Sequence, residues 1–95
     1  MPRFFVKKTS LSDDGKSIVF KGSVLEGPIR KGMTVEIPVT EAASIRMKLF
    51  DIIHFENQKD PTKKVGLVVD FDAEPEAMEI VLGLNIAEET LNLVP

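Results

Sequence analysis

The chain has 95 residues, 43% of them apolar, 28% charged and 6% aromatic, with no Cys, Trp or Tyr. That length holds a single domain spanning 1–95, since a second core would fall below about 50 residues, and the composition is that of a folded globular chain. A formal charge of −3 gives no global pull toward nucleic acid, and the absence of cysteine excludes disulfides, thiolate metal sites and thiol catalysis.

Arg3 to Thr9 is short, β-branched and aromatic, and reads as a strand. In Ser12-Asp13-Asp14-Gly15-Lys16, the Asp-Gly pair signals a tight hairpin, because glycine takes positive φ without a Cβ clash. Ser17 to Leu25 then alternates, placing Ile18, Phe20, Gly22 and Val24 on one face and Val19, Lys21 and Ser23 on the other. Gly22 inside that strand predicts a bend or the close approach of a neighbouring backbone. Glu26 to Gly32 is a turn built around Pro28. Met33 to Pro38 alternates again, with Met33, Val35 and Ile37 inward and Pro38 ending the ladder.

Thr40 to Phe55 carries two patterns. Ile45, Leu49 and Ile52 form a helical stripe behind a capping Thr40. Ile45, Met47 and Leu49 also alternate with Arg46 and Lys48, and the apolar phase slips at Phe50, so that Phe50 and Ile52 continue the apolar side, as a β-bulge would make them do. Periodicity alone leaves both open. Beyond a polar loop from Glu56 to Thr62, Lys64 to Asp72 is a strand with Val65, Leu67, Val69 and Phe71 on one face. Ala77 to Ile86 reads as another, with Met78, Ile80, Leu82 and Leu84 together, and Leu91 and Leu93 close the chain. Short strands with turn signals every 8–12 residues or so predict an all-β sandwich or small barrel.

The charge is uneven: residues 1–48 carry +4 and residues 49–95 carry −7. This describes two solvated faces or, more sharply, a basic face for an anionic partner beside an acidic flank that limits non-specific binding. The longest apolar run, Ile80 to Leu84, is far short of the roughly 18 residues that suggest a membrane span. No signal peptide is visible either, so no membrane partner and a cytoplasmic location are expected.

Catalytic chemistry has little to work with. His54 is the only histidine, so hydrolysis would have to run through it with a nucleophile and an orienting carboxylate in reach. One His without Cys cannot make a conventional zinc site, and the acidic run Asp70 to Glu76 lacks the glycine and terminal Glu of an EF-hand. Neither GxxxxGK[ST] nor GxGxxG occurs, so no nucleotide hydrolysis is expected. No cofactor, metal or catalytic residue is assigned.

The run from Gly15 to Ile37 resembles the second-domain β-barrel of translational GTPases such as elongation factor Tu. Gly15, Val19, Gly22, Val24, Gly27, Ile29, Gly32, Val35 and Ile37 fall on that family's pattern without a gap. Val65-Gly66-Leu67-Val68-Val69 is similar to its V-G-L-x-L strand, and Glu89 to Leu93 to its closing strand. The resemblance implies a small closed antiparallel β-barrel of six or seven strands, in which Thr40 to Phe55 is a long bulged strand rather than a helix. It also implies a face able to hold the aminoacylated end of a tRNA, where Val19 and Val68 match apolar positions. Lys21 stands where the family has a small hydroxyl residue, and Asp13 where it has an apolar one. GTPase and third domains are absent from this sequence.

The expected function is therefore a non-catalytic binding module, first of all a protein–protein adaptor. The alternatives are RNA binding (to a tRNA end or rRNA) through a basic face, and a small hydrolase using His54. Lys16, Val19, Lys21, Arg30, Lys31 and Val68 are the expected binding residues, with Lys7 and Lys8 as further cations.

Overall fold

The structure, a computed structural model, describes residues 2–55 and 64–95. These form β1 (Arg3–Leu11), β2 (Ser17–Glu26), β3 (Thr34–Pro38), β4 (Ser44–Phe55), β5 (Lys64–Asp70), α1 (Pro75–Leu84) and β6 (Glu89–Val94). The six strands close into an antiparallel barrel in the order β1-β2-β5-β4-β3-β6. Strands β3, β4 and β5 neighbour one another in sequence order, and β6 returns beside β3 after a long connection that contains α1. That is a Greek-key arrangement.

Alternation builds the core. Phe4, Val6, Ile18, Phe20, Val35, Ile37, Leu49, Leu67, Val69, Leu91 and Leu93 point inward and are buried, and no charged side chain among the described residues joins them. The β1–β2 hairpin turns at Ser12–Ser17. There the Ser12 and Ser17 main chains pair (2.8 Å) and Gly15, at φ +71°, donates its N–H to the Ser12 carbonyl (3.0 Å). Asp14 completes this turn by accepting from Ser12 Oγ (2.6 Å) and the Lys16 N–H (2.9 Å). Those bonds hold its carboxyl below the ordinary carboxylate range, with the Ser12 hydroxyl the largest cause.

Gly22 is buried where β1 shifts register between Val6 and Lys8, and a Cβ there would collide with the Phe5 carbonyl oxygen. The close backbone approach expected of this glycine is present. The β2–β3 connection contains a cis Gly27–Pro28 peptide and Gly32 at φ +89°.

Thr40 to Phe55 resolves as strand from Ser44 onward. Leu49 pairs with Val69 but Asp51 pairs with Val68, so Phe50 is the extra residue of a bulge. The slip expected at Phe50 lies there. Its sense differs from the expectation, however, for Ile52 returns to the core while Phe50 turns out to solvent.

Residues 77–86 require a correction. They are mostly helix, not strand: α1 begins with Pro75, which is at ease in a first turn, and ends at Asn85 in the left-handed region, whose N–H reaches the Leu82 carbonyl (3.2 Å). Val81 is buried and Ala77, Met78 and Leu84 pack against the core, a helical stripe that coexists with the alternation of Met78, Ile80 and Leu82. Phe71 donates its N–H to the Lys16 carbonyl (2.9 Å), and Thr9 Oγ1 donates to the Ile86 carbonyl (2.7 Å). Both ends of the crossover are thus tied to the β1–β2 hairpin, and α1 lies across that end of the barrel.

Candidate functional site

The expected binding residues separate into three places. Val19, Lys21 and Val68 share the outer surface of β2 and β5: Val19 pairs with Val68, and Lys21 lies between Lys8 of β1 and Gly66 of β5. Val68 is only 9% exposed, which leaves it little surface for a ligand. Lys16 sits in the hairpin turn at the helix end, its main chain occupied by Asp14 and Phe71. Arg30 and Lys31 lie on the β2–β3 connection, where Lys31 meets the β4 bulge.

That last contact is built from the main chain outward. Gly32 donates its N–H to the Leu49 carbonyl (2.9 Å), and Leu49 returns its own to the Met33 carbonyl (2.8 Å). Lys31 Nζ then stands 3.0 Å from the carboxylate of Asp51, which also accepts the Ile52 N–H at 2.8 Å. Lys31 is the main reason that the Asp51 carboxyl is held below its ordinary range. The pair is exposed, so it orients the loop more than it stabilises the fold. Because Asp51 pairs with Val68, which pairs with Val19, this contact also joins the loop to the β2–β5 surface.

The exposed centre of the region lies on β4, where the sequence reading placed no site residue. Along its outer side run Arg46, Lys48, Phe50 and Ile53, all exposed, with Phe50 at 62% and Ile53 at 39%. The bulge at Phe50 is what lets Ile52 return to the core, while Phe50 itself stays on the outer side of the strand. A signal was present in the sequence: Phe50 shares the outward phase of Arg46 and Lys48, where a polar residue is the usual occupant. With the Lys31–Asp51 pair at the bulge and Glu36 across from Arg46, the exposed aromatic and isoleucine are flanked by charges of both signs.

His54 is exposed near the end of β4, and no carboxylate among the described residues hydrogen-bonds to it. No group of three or more potential metal ligands occurs among the described residues. The acids from Asp70 to Glu76 instead lead into α1, with Asp70 accepting the Asp72 N–H at 2.8 Å. No helix among the described residues is long and apolar enough to cross a membrane. No protein-family model, curated protein or solved structure matches the chain.

Proposed function

We propose that the chain is a non-catalytic binding module of the cytoplasm that engages a protein partner through the outer side of β4. The exposed Phe50 carries this reading. A water-facing phenylalanine at a bulge, with Ile53 exposed on the same strand, Lys31 against the bulge and Arg46 and Lys48 along the outer side of β4, has the make-up of an interface centre with a charged rim. Because the strand order is cyclic, a partner cannot extend the sheet at an end strand, so recognition falls to outward side chains.

A second reading is RNA binding at the same place, favoured by the β4 cations Arg46 and Lys48 on the same strand as an aromatic on which a base can stack. Kinship with the translation-factor barrel belongs to this reading. Its support is the glycine and valine spacing from Gly15 to Ile37, and a closed six-stranded antiparallel barrel is compatible with it.

One comparison separates these. Immobilised wild-type chain and its Phe50→Asp variant are exposed to cytoplasmic extract with and without nuclease. The protein reading expects a bound protein that survives nuclease and is lost by at least tenfold with Phe50→Asp, the size of one interface anchor of about 1.4 kcal/mol or more. The RNA reading expects nuclease-sensitive retention that falls steeply with salt. Equal retention by wild type and variant would refute β4 as the surface. Phe50 is exposed, so the variant should keep the wild-type melting temperature within about 2 °C, corresponding to surface effects of about 0.5 kcal/mol or less.

A further inference from the structure

Resting on the β4 reading, we infer that the segment which docks on the β4 stripe is α1 of a second copy of this chain. The two surfaces are opposite in charge and alike in carrying exposed apolar side chains. On β4 these are Arg46 and Lys48 followed by Phe50 and Ile53, and the nearby Asp51 is already taken by Lys31. On α1, residues 76, 79, 80 and 83 face outward at helical spacing, which sets Glu76 and Glu79 beside Ile80, 49% exposed, with Leu82 at 36%. From Val65 to Pro95 the sequence contains seven Asp or Glu and no Lys or Arg, so α1 lies in an acidic stretch of chain, and Lys16, whose carbonyl accepts from Phe71, is a cation of the hairpin tied to its start.

Pairing α1 with α1 would oppose the glutamates, and pairing β4 with β4 would set Lys48 and Arg46 near their own copies, with Glu36 beside Arg46 as the one acid among them. The crossed arrangement sets Lys48 against the acidic face of α1. The small net charge of −3 adds little general repulsion to such an encounter. Apolar contact between Ile80 and Phe50 supplies the non-directional part of the attraction. Docking there also covers the Phe50 surface, so self-association and engagement of any other partner at β4 exclude one another.

Sedimentation velocity from micromolar to millimolar chain tests this, at low and at high salt, on wild type, Glu79→Lys, Lys48→Glu, the double variant carrying both, and Phe50→Asp. The expected result is association at the upper concentrations that weakens with salt. Each single reversal should weaken it by about threefold or more, and the double variant, in which the unlike pair is restored with its signs exchanged, should recover it. A wild type that stays monomeric across the range at low salt overturns the second copy as occupant and leaves β4 available to another partner. Association that ignores both single reversals and Phe50→Asp removes β4 itself as the surface. A double variant no tighter than the singles shows that these charges do not meet, and overturns the crossed arrangement.

Discussion

At Gly22 the side chain is a single hydrogen because the β1 backbone passes directly over it. A methyl group there meets the Phe5 carbonyl oxygen, and main chain cannot swing away as a flexible side chain can. Gly22→Ala is therefore expected to destabilise the barrel by about 2–3 kcal/mol, in the upper range for forced overpacking, as a lower denaturation midpoint with an unchanged slope. Asp14 acts on stability in another way, through its titration. Its folded-state pKa is depressed, so the stability it contributes is fully present above its unfolded value of 3.8 and is lost as pH falls through the lower folded value. Thermal melts from pH 5 downward should show a shallower acid loss for Asp14→Asn than for wild type. An identical slope would mean that the Ser12 hydroxyl and the Lys16 N–H do not distinguish the two protonation states.

Among the elements, the strands were legible where one face of the chain is more buried than the other. Ile18, Phe20, Val35 and Ile37 announce their side by alternation, and all are in the core. Element α1 was not legible as a helix, because its apolar residues satisfy two periods at once. The strand reading takes Met78, Ile80 and Leu82 as one face, while the fold buries Val81 and exposes Ile80. Its helical signs were local ones, Pro75 at the start and Asn85 at the end, and they became decisive only with a barrel end for Val81 and Ile86 to cover. Val81→Ala should accordingly cost about 2 kcal/mol, two buried carbons' worth plus a partly relaxed cavity, measured by denaturant unfolding. A change below about 0.5 kcal/mol would mean that the helix is not seated on the core.

Taken whole, the molecule sets an acidic crossover apart from β1, β2 and β4 and their connections, which carry most of its cations. The halves of the sequence already showed that imbalance in charge. What they did not show was which outward residues stand together. Lys16 and Arg30 are both exposed cations, yet one belongs to a hairpin at the helix end and the other to a loop held against the bulge. Val68 matched an apolar position of the family that the sequence resembles and is nearly inaccessible, whereas Phe50 looked like core and is open. Burial on the outside of a barrel depends on which loops lie over it, and strand periodicity carries no information about that.

The pairing of β1 with β6 has one more consequence. Arg3 is the partner of Asn92, and the Leu93 N–H donates to the Pro2 carbonyl at 3.0 Å, so the two ends of the strand circuit run side by side. A few glycines and serines could splice them, and the chain could be reopened between Asp13 and Asp14, on the exposed tip of the hairpin. Such a circular permutant should give the far-ultraviolet spectrum of the parent, since it keeps all the inter-strand ladders and changes only the order in which they are threaded.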